Sequence, residues 1–368
     1  MSKFAGDFLF KKKMYKIEFL PLNFEIETKA VLKKTTQASR KLAELKSIAK
    51  RIPNEAILIN TLVLQEAKDS SAVENIITTH DELFKANIFS DLISSLATKE
   101  VQSYAEALKA GYQIVKKSGF LSANHIIGIQ EILEKNKAGF RRQAGTTLKN
   151  SQTNEIVYTP PQDFETISDL MNNLVQYINN NELSDVDILV KMAIIHFQFE
   201  SIHPFYDGNG RTGRIINILY LILQNLLDLP ILYLSRYIIQ NKNAYYQKLQ
   251  AVRDTNAWED WIIFMLDSVE NTATETIILI EKVIDLMRHY KKQIRDKHSF
   301  YSQELLDNLF KHPYTKIEFL EKDLQISRIT AAKYLNALAD DGLLSRYKIG
   351  RSNFYINQPL FDLFAPQT

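Results

Sequence analysis

The stretch HPFYDGNGRTGR, residues 203–214, places a histidine, an aspartate, a glycine pair around an asparagine, and two arginines within twelve positions. A turn that only reverses the chain would need the glycines and none of the charged residues. Pro204 predicts that the preceding helix ends near His203, because proline cannot continue a helix. A second helix is predicted to begin near Arg211, because an apolar run follows at once.

The glycines and arginines of this stretch suit the binding of a polyphosphate. Gly208 and Gly210 let a ligand approach the backbone closely. The N-terminus of the following helix favours an anion through its free N–H groups and its dipole. Arg211 and Arg214 are three residues apart and share a helix face. Both can reach the same anion, and the arginine fork matches phosphate oxygens.

His203 and Asp207 add a base and a metal ligand to this predicted cradle. A histidine can act as a general base near neutral pH, and a carboxylate beside a phosphate site suits Mg²⁺. The alternative is a helix–loop–helix turn with a capping asparagine and surface arginines. His196 and His203 do not have a usual zinc spacing, so His196 is predicted to be a buried, hydrogen-bonded histidine.

The composition limits the class of protein. The length of 368 residues predicts two or three domains, and 45% hydrophobic with 24% charged residues is typical of a soluble globular protein. With a formal net charge of +2, any contact with nucleic acid would need a local basic patch. The absence of cysteine excludes disulfides, thiolate metal sites and a cysteine nucleophile, and it favours a cytoplasmic protein.

No segment predicts contact with a membrane. The most apolar stretch, residues 215–229, is interrupted by polar residues and is too short to span a bilayer, so it is predicted to be a buried core helix. Residues 1–16 have no apolar block after their basic residues and do not resemble a secretory signal.

Helical periodicity dominates the rest of the chain and predicts a mainly α fold. Residues 139–161 differ, because glycines and a polar centre are flanked by Thr, Ile, Val and Tyr, which predicts a β-hairpin flap. The predicted helical runs cover residues 29–50, 54–68 (which leads into 68–86), 97–117, 122–136, 163–182, 185–199 and 215–229, and residues 230–254 and 257–296 are predicted to be mostly helical.

Residues 319–357 have a different pattern of helix, turn, helix and two strands, which resembles a winged helix. The charged run 288–297 before it is interpreted as a solvated helix face or a linker. Ile329, Ala332, Leu335 and Leu338 are predicted to face inward on the second helix. Basic and polar residues of this region predict DNA contacts, the alternative being dimerisation or binding of a target. These residues are Arg328, Thr330, Lys333, Asn336, Arg346, Lys348 and Arg351.

Residues 203–214 resemble the Fic signature, H-x-F-x-D/E-G-N-G-R-x-x-R, at every defined position. The resemblance covers roughly residues 20–285, including HFQFESIHPF, LPILYLSRYI, NAYYQKL, GFRR…IVYTPP and LPLNFEIETKAVLKK…LQEAKDSSAVENIITTHDEL. It implies a mainly α protein with a Fic-type helical core and a β-hairpin flap. The implied domains are an N-terminal helical region with an inhibitory motif at 1–118, the catalytic core at 119–287 and a winged-helix domain at 288–368.

Fic proteins mostly transfer AMP from ATP to a hydroxyl of a target protein. The resemblance implies that His203 deprotonates a Ser, Thr or Tyr hydroxyl of the target, and that Asp207 holds Mg²⁺. It also implies that Arg211 binds the β-phosphate and Arg214 the γ-phosphate, while Phe205 anchors the loop in the core. The residues implied to bind nucleotide are Glu74, Asp207, Gly208, Asn209, Gly210, Arg211, Thr212, Gly213, Arg214, Tyr245 and Tyr246.

Gly210 favours adenylyl transfer within this family, because kinase-like relatives carry lysine at that position. Transfer of UMP or phosphocholine stays open, since the base pocket lies outside the motif. The flap is implied to dock the target as an added strand along Ile156, Val157 and Tyr158, the alternative being an ordinary surface hairpin. For Tyr245 and Tyr246 the alternative is a packing role.

SSAVEN, residues 70–75, resembles the inhibitory motif S/T-x-x-x-E-G/N, with Ser70, Glu74 and Asn75 at its defined positions. The resemblance implies that Glu74 pairs with Arg214 and makes ATP bind in an unproductive pose. The alternative is local, because Ser71 and Glu74 also match a helix N-terminal capping box.

The sequence therefore predicts an auto-inhibited protein adenylyltransferase that uses ATP and Mg²⁺ and that also modifies itself. Two alternatives are a DNA-binding regulator whose Fic core senses nucleotide and an enzyme that removes AMP. A homodimer is expected from related proteins.

Overall fold

The computed structural model describes residues 15–88, 95–149, 153–349 and 352–364. Residues 1–14 and Arg351 lie outside the described residues, so the predictions made for them are not addressed further. Within the described part the chain is mainly helical, as predicted, and its short strands form two antiparallel sheets. The N-terminal helices are α1 (Lys29–Ala49), α2 (Glu55–Val73), α3 (His80–Ile88) and α4 (Leu96–Ser118).

Two helices at the centre of the fold are buried along nearly their whole length. They are α7 (Ile188–Ile202) and α8 (Asn209–Leu223), which pack against each other. Residues on all faces of both helices are buried, which is typical of helices in the centre of a core. Around them lie α5 (Ala123–Glu134), β1 (Leu148–Lys149), β2 (Ile156–Tyr158), α6 (Phe164–Asn179), α9 (Leu234–Gln240), α10 (Lys242–Thr255) and α11 (Trp258–Lys297).

Helix α8 begins two residues earlier than predicted. Gly208 precedes it with a φ of 76°, in the left-handed region that glycine adopts without strain, and so turns the chain directly into the helix at Asn209. As a result the segment from Asn209 to Arg211 forms the first helical turn. The N–H groups of this turn have no partner within the helix, which is the arrangement that favours an anion.

Helix α11 is forty residues long and packs along α1. It passes through residue 288 without interruption, so the predicted boundary between core and C-terminal domain falls inside a helix. Tyr290 and Ile294 of the charged run 288–297 are buried. The charged residues of the run lie on the exposed side of this helix, so the interpretation as a solvated helix face is confirmed, whereas the alternative of a linker is wrong because the helix continues through it.

The C-terminal elements follow the predicted order of helix, turn, helix and two strands. In the three-stranded sheet β5 lies between β3 and β4, and all pairs are antiparallel. The elements are α12 (Gln303–Lys311), β3 (Tyr314–Lys316), α13 (Ile317–Leu324), α14 (Arg328–Asp340), β4 (Ser345–Ile349), β5 (Ser352–Ile356) and α15 (Gln358–Phe364).

The inward face of α14 differs from the prediction. Ala331, Leu335 and Leu338 are its buried residues, whereas Ile329 is 83% exposed and Ala332 is half-buried. Spacings of four and three residues keep the observed set on one face. Ile329 precedes Ala331 by two residues and therefore lies on nearly the opposite side of the helix.

Helix α2 is held on several sides. Its Glu66 carboxylate is buried and accepts hydrogen bonds from Tyr104 Oη (2.9 Å) on α4, and from the backbone N–H (3.1 Å) and hydroxyl of Ser235 on α9. On another side, Gln65 Nε2 donates to the carbonyl of Phe364 in α15 at 2.8 Å. Helix α2 is thus fixed to α4, α9 and α15.

Tyr290 links α11 to the C-terminal elements. Its buried hydroxyl lies 2.7 Å from the Leu343 carbonyl and 2.9 Å from Asn357 Oδ1.

Among the described residues, no helix has the length and apolar character needed to cross a bilayer.

We expect Tyr290→Phe to lower the free energy of unfolding by about 1–3 kcal/mol, because buried acceptors lose their donor. Tyr301→Phe is the control, since that hydroxyl donates to Gln303 Oε1 at 3.2 Å in a half-exposed position. Urea denaturation followed by circular dichroism measures both. Equal loss in the two variants would contradict the assigned role of Tyr290.

Candidate functional site

The 203–214 motif forms the loop between α7 and α8 and the first turns of α8. His203 ends α7 in the left-handed region with a φ of 49°, and its N–H donates to Phe199 O at 2.9 Å. Phe205 is fully buried against Phe140 and Phe199, so it anchors the loop as predicted. The loop therefore leaves the core only after this anchor.

Asn209 closes the loop with its side-chain amide. Its Oδ1 accepts from the Phe205 N–H at 2.8 Å, and its Nδ2 donates to the Phe205 carbonyl at 2.9 Å. Both ends of the side-chain amide are thus used within the loop. A role for Asn209 at a ligand would come from its backbone N–H.

Asp207 lies at the exposed edge of the loop. Its Oδ1 accepts from the N–H of Gly208 at 2.7 Å, and its carbonyl accepts from Gln130 Nε2 of α5 at 3.3 Å. The carboxylate is held in place yet accessible. These are the properties needed for a hard oxygen ligand that binds a divalent cation together with a substrate.

Arg214 is 1% exposed and is bound to the inhibitory motif. Its Nε donates to Ser70 Oγ at 2.7 Å, and its Nη2 donates to Ser70 O at 2.9 Å and to Glu74 Oε1 at 2.8 Å. Glu74 follows the last residue of α2 and Ser71 lies inside the last turn. The capping-box alternative is therefore wrong, because a capping box needs these residues at the start of a helix.

Gly210 makes this ion pair sterically feasible. A Cβ built on Gly210 would overlap Glu74 Oε1 and would lie 3.1 Å from Arg214 Nη1. Any larger residue at position 210 would therefore displace the Glu74 carboxylate. Asn75, the last residue of the inhibitory motif, has a φ of 65° and accepts from Lys242 Nζ at 2.9 Å in an exposed contact.

Glu74 and Arg214 are both charged near neutral pH. Burial raises the pKa of Glu74, but the Arg214 guanidinium outweighs burial and holds the pKa below its usual range. The carboxylate is therefore ionised at pH 7. Because Arg214 is bonded through both Nε and Nη2, a ligand can use those atoms only after Ser70 and Glu74 give them up.

His203 is neutral at pH 7. Burial, with the guanidinium groups of Arg141 and Arg253, lowers its pKa to about 4. Its buried Nδ1 has no hydrogen-bond partner among the described residues. A neutral imidazole can accept a proton. The negative charge of an incoming phosphate would raise this pKa toward the range in which a general base is efficient.

Arg211 is paired with carboxylates that local sequence reasoning missed. Its Nη2 donates to Glu134 Oε1 of α5 at 2.8 Å, and its Nη1 donates to Glu100 Oε2 of α4 at 3.2 Å. The arginine is 5% exposed and its Nε has no partner among the described residues. The alternative of surface arginines is therefore wrong for both Arg211 and Arg214.

Arg141 is a second residue without a predicted role. It is fully buried, its Nε donates to His203 O at 2.8 Å, and its Nη2 donates to Pro161 O and to Ile202 O. It thus ties the start and end of the flap to the end of α7. The only signal in the sequence is its place in GFRR, a segment that resembles the family without indicating a contact.

The flap is a short hairpin of β1 and β2, as predicted. Ile156 is 54% exposed, Val157 is half-buried, and Tyr158 is buried with its hydroxyl 2.8 Å from Ser201 O. The guanidinium of Arg253 lies 3.9 Å from the centre of the Tyr158 ring. One end of the flap is therefore fixed beside α7, while its outer edge is exposed.

Tyr245 and Tyr246 have different environments. Tyr245 is 1% exposed and its hydroxyl lies 2.8 Å from Nε2 of the buried His196, so the prediction of a buried, hydrogen-bonded His196 is confirmed. Tyr246 is 45% exposed, and its ring contacts Tyr245. Tyr245 therefore has the packing role, and Tyr246 is the one that a ligand could contact directly.

Sequence comparison identifies the family of this fold. The Fic/DOC family N-terminal model matches residues 32–113 and the Fic/DOC family model matches residues 120–221. The chain belongs to the Fic/DOC family. The model described as "Protein adenylyltransferase SoFic-like, C-terminal domain" matches residues 286–360, so family models cover all three parts of this Fic protein.

Curated relatives and solved structures resemble this Fic chain at modest identity. A probable protein adenylyltransferase from Aquifex aeolicus is 27% identical over 191 residues, which is 50% of this chain and 56% of that protein. Protein adenylyltransferase Fic from Drosophila yakuba is 30% identical over 104 residues, 28% of this chain and 19% of that protein. This chain therefore spans about half the length of the first relative and less of the second.

The fold is shared with solved Fic structures. A Fic family protein from Desulfovibrio desulfuricans has a TM-score of 0.58 and 19% identity, covering 92% of this chain and 98% of that one. A Fic domain containing signaling protein from Bacteroides thetaiotaomicron has a TM-score of 0.53 and 17% identity, covering 67% and 97%.

We expect His203 to titrate with a midpoint near pH 4 in the protein without nucleotide, because its burial disfavours the charged imidazolium. Nuclear magnetic resonance of the histidine side chains measures the midpoint, and His203→Ala assigns the signal. A midpoint at or above the ordinary value of about 6.5 would contradict this environment.

Proposed function

We propose that this protein is an auto-inhibited protein adenylyltransferase that transfers AMP from ATP to a hydroxyl of a target protein. The observation that carries the proposal is the arrangement of three side chains around one loop. A neutral His203 ends α7 at the start of the loop, and Arg211 and Arg214 lie in the first two turns of α8 at its end. The Aquifex and Drosophila relatives, which are named as a probable protein adenylyltransferase and a protein adenylyltransferase, support it.

In the proposed reaction His203 takes the proton of the target Ser, Thr or Tyr hydroxyl. The target oxygen then forms a bond to the α-phosphorus of ATP. The bond between that phosphorus and the oxygen leading to the β-phosphate breaks, and pyrophosphate leaves with the electron pair. Arg211 and the N–H groups that begin α8 offset the charge on the phosphates, since such reactions depend mainly on positioning and charge stabilisation.

Mg²⁺ would be held by Asp207. This residue fits, because Mg²⁺ commonly binds one or two carboxylates together with substrate phosphates and water, and the Asp207 carboxylate is exposed at the loop edge. When bound, the ion would neutralise phosphate charge. The glycine turn and the metal ligand would then lie beside the same phosphates.

Auto-inhibition by Glu74 is part of the proposal. In the structure the nitrogen atoms of Arg214 that would bind the γ-phosphate are bonded to Ser70 and Glu74. Removing the Glu74 carboxylate would release Nη2 of Arg214 and the space beside Gly210. ATP could then bind with its γ-phosphate on Arg214 and its α-phosphorus near His203.

We propose that the target protein docks along the flap. The exposed Ile156 leaves an edge for an added strand, in which backbone hydrogen bonds tolerate many target sequences. The fixed position of Tyr158 would set the distance from this strand to His203. Self-modification would use the same edge.

Several expected partners and activities remain predictions. Arg328, assigned to DNA, pairs with Glu318 at 3.0 Å, and Asn336 accepts from Tyr355 Oη at 2.8 Å and from Arg346 Nη1 at 3.2 Å. These contacts do not favour DNA binding over dimerisation. The DNA-binding nucleotide sensor, the removal of AMP and the homodimer therefore stay predictions.

We expect Glu74→Gly to raise incorporation of labelled AMP from ATP, including self-labelling, by about tenfold or more. A hydrogen bond to a charged group is worth about 1.5–3 kcal/mol, and about 1.4 kcal/mol corresponds to a tenfold change in rate. Glu106→Ala is the control, because Glu106 is exposed and pairs with the exposed Lys135 at 3.4 Å, away from Arg214. Equal incorporation by wild type and Glu74→Gly would refute the inhibitory role.

We expect His203→Ala in the Glu74→Gly background to lower transfer by at least about 100-fold, the usual contribution of a general base. Binding of Mg·ATP, measured by calorimetry, should persist because the arginines and the α8 N-terminus are unchanged. His289→Ala on the exposed side of α11 is the control. Full transfer by His203→Ala would show that another group is the base.

A further inference from the structure

The end of α5 lies directly beneath the glycine turn of the 203–214 motif. Gln130 donates to the Asp207 carbonyl, and Glu134, one helical turn later, reaches Arg211. A Cβ built on Gly208 would overlap Glu134 Oε1. The carboxylate therefore packs against the backbone of the turn, and this approach requires glycine at position 208.

Glu134 and Glu100 bind different nitrogens of Arg211. Glu134 holds Nη2 and Glu100 holds Nη1, so two helices fix the plane of the guanidinium. Nε lacks a partner among the described residues. Arginine has five N–H donors in a rigid fork, so Arg211 can bind both carboxylates while its Nε, which is buried in the structure without nucleotide, is left for a phosphate oxygen.

Arg214 differs from Arg211 in this respect. Its Nε and Nη2 are both occupied by Ser70 and Glu74, and the carboxylate must leave before those atoms can bind a ligand. The acids on Arg211 leave its Nε free, so they need not leave. The two arginines of the motif thus have carboxylate partners with opposite consequences for a nucleotide.

The local charges also favour a fixed role for Glu134. Its side chain is 12% exposed, and burial raises the pKa of Glu134 against the opposing effect of Arg211, while Asp207 and Glu100 raise it further. Arg211 is the cation that opposes this shift and holds the carboxylate. Loss of its charge would leave the guanidinium held by Glu100 through Nη1, without the second carboxylate that fixes its plane.

We propose that Glu134 is a positioning residue for AMP transfer, which orients Arg211 so that its Nε edge faces the β-phosphate. This inference rests on the proposed function. In the reaction, negative charge grows on the oxygen between the α- and β-phosphates as that bond breaks. An arginine held in advance at the β-phosphate stabilises this leaving group without reorganising.

The test is Glu134→Gln in the Glu74→Gly background. Glu134→Gln should lower kcat for AMP transfer by about 10- to 100-fold, the range expected when a reacting group is misplaced by about 1 Å. Binding of Mg·ADP should weaken, whereas binding of AMP should be unchanged, because AMP has no β-phosphate. Glu106→Gln, one of the neighbouring exposed acids, should change none of these values.

The outcomes separate this inference from the proposed function. If Glu74→Gly itself transfers no AMP, the proposed function fails, and the comparison of ADP with AMP still tests the role of Glu134. The inference would be overturned if Glu134→Gln in the Glu74→Gly background bound ADP as tightly as Glu74→Gly alone. It would also be overturned if kcat were unchanged or higher. Equal weakening of ADP and AMP, with a lower melting temperature, would also overturn it by indicating a structural role.

Discussion

The contact between Glu74 and Arg214 depends on the absence of a side chain at position 210. Gly210 leaves a space that the Glu74 carboxylate fills, and the same space lies beside the N-terminus of α8. The inhibitory motif and a nucleotide would therefore use the same atoms of Arg214 and the same volume. Competition between them follows from geometry, because one buried guanidinium cannot offer one set of N–H groups to two anions.

Because Arg214 is buried, its pairing with either Glu74 or a phosphate is expected to be strongly favoured over leaving it unpaired. Arg214 lies in the core, where an unpaired charge is costly, so it needs an anionic partner at all times. In the inhibited protein Glu74 supplies the negative charge. When Glu74 is removed, a γ-phosphate would restore the charge balance. In the proposed mechanism this buried cation would pair with Glu74 in one state and with the substrate phosphate in the other.

The sequence predicted features whose chemistry is contained in adjacent residues. The break at Pro204, the glycine turn and the helix after it all follow from local conformational preference. The pairing of Glu74 with Arg214 came from family resemblance, since Ser71 and Glu74 match a local capping box equally well. Only the position of these residues at the end of α2 distinguishes the two interpretations.

Other contacts of the site could not be predicted because they join distant parts of the chain. Glu134 and Glu100 lie 77 and 111 residues before Arg211, and nothing in their own helices separates them from solvated acids. Tyr245 and Tyr246 are adjacent in sequence, yet only the packing of Tyr245 against the buried His196 shows which one is in the core.

The anchoring of α2 limits how inhibition can be relieved. Glu66 is bonded to Ser235 and Tyr104, and Gln65 to the carbonyl of Phe364, so the middle of the helix is tied to both the core and the chain's end. Departure of the whole helix would break all of these buried contacts. If Glu74 inhibits as proposed, its release would require only fraying of the final turn of α2 or a rotamer change of Glu74, while the rest of the helix stays docked.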